Sequence, residues 1–205
     1  MKVAILTGSI AMGKTSIANL MRSKGIPVFC ADSCVHELYK TPAIVAQIAC
    51  MFGDVIENGV VNRQKLGQYI LYDLEAKAKL EKLIHSYVRL NEIEFLEQEQ
   101  KKQSPISVID MALYFENGAV KKIGDYEIEA VIVVTTTPEQ QRKRALSRAG
   151  MSEEKLNRIL SLQMDSVEKI ALADYVIDNS GSLEYAERQI NAILGVMEIE
   201  NYAKG

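Results

Sequence analysis

Lys2 to Ser16 read KVAILTGSIAMGKTS, a short apolar strand running into Gly8, Gly13, Lys14 and Thr15, the fixed positions of the pattern GxxxxGK[ST]. Glycine at those two places lets the backbone curl until successive N–H groups point inward, and a helix starting at Lys14 adds its positive N-terminal end. Such a loop suits a polyphosphate. Lys14 can reach the β- and γ-phosphates, and the Thr15 hydroxyl can join the octahedral shell of a Mg²⁺ that bridges them. Four fixed positions match by chance in roughly one chain of this length per hundred. Here the match also has its strand before it and an amphipathic helix carrying Ile17, Leu20 and Met21 after it. That context turns the pattern into a nucleotide site.

Working outward, runs rich in Val and Ile recur at about residues 2–7, 26–30, 105–110, 128–135 and 174–178, with helical patterns in the intervals. Each run is short and almost wholly apolar, as expected of strands covered by helices on both faces. The expectation is an α/β fold of the P-loop NTPase type, a parallel five-stranded sheet flanked by helices. Ligands in such sheets bind at the C-terminal strand ends, which should gather Gly8, Asp32, Asp110 and Asn179 along one edge. The interval from Thr41 to Gln103 carries no strand signal and reads as helical, with Pro42 in a first turn and Asn62 as a cap. It reads as a helical acceptor-side insertion at about 41–103 in a core of 1–40 and 104–205. The stretch after Leu183 reads as an amphipathic helix, and Ile199 to Gly205 as a frayed tail.

Composition narrows the partners. With 205 residues, 48% hydrophobic and a net charge of −3, the chain can bury a core but has no global basic field for a nucleic-acid backbone. Three cysteines without CxxC spacing suit a reducing cytoplasm, and two histidines are too few for a histidine-rich metal centre. The absence of a leader pattern and of a long uncharged apolar run predicts an untargeted, soluble protein without a membrane association. Nothing in the sequence calls for an obligate protein partner.

Three further places carry chemistry. Asp32 follows the second strand and is a candidate general base, with a cap for a helix beginning at Ser33 as the alternative role. Asp110 closes PISVID in a Walker-B-like position for the metal, or else caps the segment around Leu113 to Glu116, where Glu116 is the weaker carboxylate. Between Pro138 and Met164 a helix, a break at Ala149–Gly150 and a second helix follow one another, the second capped by Ser152 with glutamate at capping-box spacing. Arg144 and Arg148, four apart, share a face of the first of these helices. The segment at about 139–165 can act as a lid that brings arginines to a transferring phosphoryl group; a solvated charged face is the alternative.

The pieces LTGSIAMGKTSIANL, GIPVFCADSCVHEL, LEKLIHSYVR, VIDMALYFENG, RKRALSRAGMSEE and LADYVIDNSGS occur in the order and spacing of one family, and the chain resembles dephospho-CoA kinase over nearly its whole length. The resemblance implies ATP as donor, dephospho-CoA as acceptor and its ribose 3′-hydroxyl as the group phosphorylated. It implies that Ala11, Met12, Gly13, Lys14, Thr15 and Ser16 bind ATP phosphates, that Asp32 is the base, and that Arg144 and Arg148 are lid arginines. It also implies that Asn179 to Gly181 form the turn beside the adenine. His85 matches the family's LHP segment as a weak acceptor-side candidate, though a histidine packed between helices is the plainer reading. The family usually has GGIGSGK where this chain has Ser9, Ala11 and Met12, Asp where it has Cys30, and Arg where it has His36. The alternative function is a P-loop kinase for another small hydroxyl acceptor, such as a nucleoside, a nucleotide or a sugar acid.

Overall fold

Five of the six residues of β1 (Lys2–Thr7) are buried, so this strand needs neighbours on both edges and cover on both faces. It finds them in the computed structural model, which describes residues 1–71 and 73–199. β1 is the middle strand of a five-stranded sheet in the order β2-β5-β1-β8-β9, formed by β2 (Val28–Cys30), β5 (Ile106–Asp110), β8 (Ala130–Thr135) and β9 (Tyr175–Asp178). β1 runs parallel to β5 and β8, and β8 parallel to β9. The register sets Leu6 opposite both Asp110 and Ile132, so the loop leaving β1 emerges beside the end of β5.

The described chain divides into two compact units, one of Met1–Phe29 with residues from Phe95 onward, the other Cys30–Glu94. In the first, α1 (Lys14–Ser23) and α9 (Leu183–Val196) pack on the sheet through Ile17, Met21, Ile190 and Ile193, against Ala4, Leu6 and Ile132. Each such side chain, moved fully from water, contributes about 1.5–3 kcal/mol. The same unit carries a hairpin of β6 (Lys122–Ile123) and β7 (Tyr126–Glu127), then α6 (Pro138–Leu146), α7 (Glu153–Ser161) and α8 (Ser166–Ala171). The interval after Asp110 is therefore turns and a hairpin, not a helix.

The second unit holds α2 (Ala31–Leu38), α3 (Pro42–Phe52), the strands β3 (Ile56–Glu57) and β4 (Val60–Val61), α4 (Arg63–Leu71) and most of α5 (Leu74–Lys101). Asn62 accepts from the amides of Gln64 and Lys65, the expected cap. The strand-free reading of this interval is corrected by the β3–β4 hairpin. Asn58 and Gly59, both at positive φ (50° and 78°), form the turn whose twist matches paired strands, and Asn-Gly between Ile56 and Val61 was its signal.

The frayed tail is corrected at its first residue. Glu198 is left-handed (φ 55°), its amide donates to Gly195, and the Ile199 amide donates to Leu194. These two bonds close α9 in a Schellman motif that seats Ile199, 3% exposed, in the main core. Glycine usually stands at the left-handed position, so Glu198 hid the motif from the sequence. The remainder of that expected tail lies outside the described residues.

Candidate functional site

The loop between β1 and α1 takes its shape from three left-handed or near-extended positions, Gly8 (φ 156°), Ala11 (φ 61°) and Gly13 (φ 90°). Gly8 is pinned from one side: a Cβ there would lie 2.7 Å from the backbone oxygen of Val134. Gly13 is the N-cap of α1, where no side chain caps the helix and no acidic residue occupies the first turn. The positive end of α1 is thus left for an external anion. Thr15 and Ser16 are exposed at its start.

Lys14 reaches across to Asp110, with which it forms an ion pair whose two side chains are 12% and 3% exposed. Asp110 thus does not serve as a cap for the following segment, which is made of turns. Its carboxylate stands at the loop, next to the Lys14 ammonium, because β5 is register-locked to β1.

Two residues from the far end of the chain complete the cradle. Asn179, just past β9, is held by its own amide donating to Thr135 (2.8 Å) and is 7% exposed. Its Nδ2 donates to the carbonyl of Met12 at 3.0 Å. Arg144, on α6, donates through Nη2 to the Asn179 carbonyl (3.0 Å) and to Gln140 Oε1 (3.2 Å). Its Nη1 is buried and has no hydrogen-bond partner among the described residues. A Cβ on Gly13 would lie 3.2 Å from that nitrogen, so the unpaired half of the guanidinium is next to the loop. A buried charged donor left unmatched is costly, and an anionic oxygen in the loop would match it.

Arg148 is placed differently from the expectation. α6 stops at Leu146, so Arg148 stands exposed in the turn beyond it and does not share a helical face with Arg144. Ser152 does cap α7 by accepting from the Lys155 amide; the residue three on is Lys155, so no glutamate closes a capping box. Gly181 is exposed, with room beside it limited by Tyr185: an added Cβ would lie 2.8 Å from that ring. The turn it belongs to is held by Gln140, whose Nε2 donates to Ser180 (2.9 Å). Glu116 is an anchor, paired with the fully buried Lys169 at 2.8 Å.

Asp32 and His85 belong to the second unit. α2 begins at Ala31 with Cys30 at the N-cap, so Asp32 is not the cap; it lies exposed in the first turn, where a carboxylate suits the helix dipole. His85 is exposed on α5 and not packed between helices. His36 presents both ring nitrogens 3.1 Å from Arg63 Nη1, so a guanidinium stands beside the position where the family usually has arginine.

Deeper in that unit Glu92, 2% exposed, has its carboxyl pushed up to about 7 by burial, against the pull of Arg89 3.2 Å away. A carboxyl raised in the folded state stabilises the fold only while it is protonated, so that contribution is lost as pH rises toward 7. Glu92→Gln is expected to be more stable than the parent above pH 7, by about 2–3 kcal/mol, and to lose this advantage toward pH 4. Urea unfolding of both chains across that range checks it; a constant gap would rule it out.

The chemistry of the donors suits Mg²⁺. That ion keeps several waters and takes one or two carboxylates plus nucleotide phosphates, not a dedicated protein cage. Among the described residues no cluster of three or more His, Cys, Asp or Glu is positioned to hold a metal, while the start of α1 offers the Thr15 hydroxyl and the end of β5 the Asp110 carboxylate. No helix among the described residues is long and apolar enough to cross a membrane. Gln140, Gln141 and Gln163, which support the loop and its neighbours, carried no sequence signal beyond their places in a polar helical segment.

The chain is similar to known proteins over most of its length. Residues 2–185 match the family model described as dephospho-CoA kinase. A Brucella melitensis protein named dephospho-CoA kinase is 41% identical over 189 residues, covering 92% of each chain. A crystal structure from Thermus thermophilus superposes with a TM-score of 0.81 at 28% identity, covering 96% of this chain and 97% of that one. A dephospho-CoA kinase structure from Campylobacter jejuni gives 0.69 at 26% identity, covering 97% and 98%.

Proposed function

We infer that this chain, which belongs to the dephospho-CoA kinase family, transfers the γ-phosphoryl group of ATP to the 3′-hydroxyl of dephospho-CoA, giving coenzyme A and ADP. The observation that carries this reading is the unpaired Arg144 Nη1 held beside Gly13 in a loop whose helix end has no cap of its own.

In this reading the amides of the loop from Ala11 to Ser16 and the Lys14 ammonium hold the β- and γ-phosphates. Arg144 meets the charge that spreads over the transferring group, with Arg148 approaching from the lid at 139–165. The Asn179–Gly181 turn borders the adenine. Thr15 and Asp110 would hold Mg²⁺, which would supply neutralisation of phosphate charge. Asp32 orients the 3′-hydroxyl and takes its proton as the oxygen bonds to the γ-phosphorus and the bond to the bridging oxygen of ADP breaks. The unit Cys30–Glu94 supplies the acceptor side, with His85 as a weaker contact. Its Arg63–His36 pair offers positive charge to the acceptor's phosphates. A cytoplasmic site of action, without nucleic-acid, membrane or obligate protein partners, completes the reading.

Acceptor-dependent ADP release in Mg²⁺-ATP, with the product identified by mass and phosphorus position, tests the reaction. Phosphorylation at the ribose 3′ position supports it; turnover of another hydroxyl acceptor with dephospho-CoA ignored overturns it. For the base, Asp32→Asn is expected to lower kcat about 10²–10⁴-fold with the ATP KM little changed. Full kcat with an unaltered pH profile would remove Asp32 from the role.

A further inference from the structure

The phosphate loop is held at its apex as well as at its ends. The Ile10 amide donates to Gln163 Oε1 at 3.0 Å, and the Ile10 carbonyl accepts from Gln141 Nε2 at 2.9 Å. Gln141 sits on α6, three residues before Arg144, and Gln163 follows α7. Next along, Ala11 takes a left-handed φ of 61°, where an L side chain is strained. Its methyl group packs with Ala145 and Leu156, with Ile10, Leu146 and Leu160 around them. Two polar bonds and an apolar seat therefore join the loop's apex to the α6–α7 pair.

Gln163 is itself braced. The next amide, Met164, donates to Glu116 Oε1 at 3.0 Å, and Glu116 is paired with Lys169, which is fully buried. Burial works against the Glu116 charge, but the Lys169 ammonium and the amides of Glu116 and Met164 outweigh it and hold the carboxyl below its usual range. The chain of contacts runs from Lys169 on α8 through Glu116 and the 163–164 turn to the Ile10 amide.

We propose that Gln141 and Gln163 are positioning residues that set the conformation of the phosphate loop through the Ile10 backbone, so that the cradle and the Arg144 helix are ordered together. The proposal rests on the assignment of this loop to ATP. Deleting either polar contact leaves the Lys14–Asp110 pair in place but frees the apex, which weakens nucleotide binding without touching the acceptor side.

The test uses the full chain with Gln163→Met, Gln141→Met and Gln163→Glu. Both Met variants are expected to raise the ATP KM about 3–10-fold, the span of one net hydrogen bond, with the dephospho-CoA KM unchanged and the Tm lowered by no more than about 2–4 °C. Ile10 amide hydrogen exchange, followed by NMR without nucleotide, should speed up at least tenfold in Gln163→Met. Gln163→Glu keeps an acceptor oxygen and should keep the slow exchange. Unchanged Ile10 exchange in Gln163→Met overturns the proposal, as does faster exchange spread over β1 and α1 with the Tm lowered by more than about 4 °C, which marks a merely structural role. A parent chain that ignores ATP overturns the proposed function instead, and the exchange measurement still decides whether Gln163 holds the apex.

Discussion

Lys14→Ala is expected to lower kcat about 10²–10³-fold, the usual loss when one preorganised donor to a developing negative charge is removed. It should also destabilise the fold, because Asp110, 3% exposed, is left as a buried carboxylate without its cation, a situation that costs about 3–5 kcal/mol. The two effects can be separated. In Lys14→Ala with Asp110→Asn, the buried charge is gone, so most of the lost stability should return while kcat stays low. Denaturant unfolding beside steady-state turnover measures both. If Lys14→Ala turned over at the parental rate, the loop would not be the phosphoryl-transfer site; if the double variant were no more stable than Lys14→Ala, the pair would not be what holds Asp110.

The second large effect is expected at Gly13. Its φ of 90° costs an alanine about 1–3 kcal/mol. The new methyl carbon would also lie 1.8 Å from Asn179 Nδ2, a separation that no side chain tolerates. Asn179 must then swing away, which breaks its bond to the Met12 carbonyl and leaves two buried polar groups unmatched, about 1–3 kcal/mol each. Gly13→Ala should therefore lose about 3–9 kcal/mol of stability and, by calorimetry, measurable ATP binding. Adding Asn179→Ala removes the clash, so the pair should cost less than the sum of the single changes. A Gly13→Ala chain as stable as its parent would mean that the loop adapts and that Asn179 does not clamp it.

Much of this arrangement was legible in the sequence because it rests on local rules. The Gly8-to-Thr15 spacing and the apolar runs led to the sheet and to Lys14, and Asp110 was readable as a carboxylate at a strand end. What stayed hidden depends on chain segments meeting across long separations or on an unusual residue doing a familiar job. Asn179 was readable as a strand-end residue on the same sheet edge as Gly8, but no periodicity announces that its side chain bonds the remote Met12 carbonyl. Glu198 in a left-handed turn looks like any exposed acid, so the closure that buries Ile199 could not be read. Arg148 was misplaced because helix ends depend on where the backbone bonds stop, and α6 stops two residues before it. The Asn58–Gly59 hairpin was readable and was outweighed by the helical stretches around it.

The bond from Asn179 to Met12 has a consequence for the chain while it is being made. Met12 is made 167 residues before the asparagine whose side chain clasps it, and before the helix that buries β1. Contacts this far apart along the chain form late. A nascent chain can expose its glycine-rich loop while the intervening residues are made and still be unable to retain a nucleotide, so ligand capture reports that Asn179 and the helix after it are in place. Chains released early would carry the motif without the grip, and ATP would not protect them from proteolysis as it protects the finished protein.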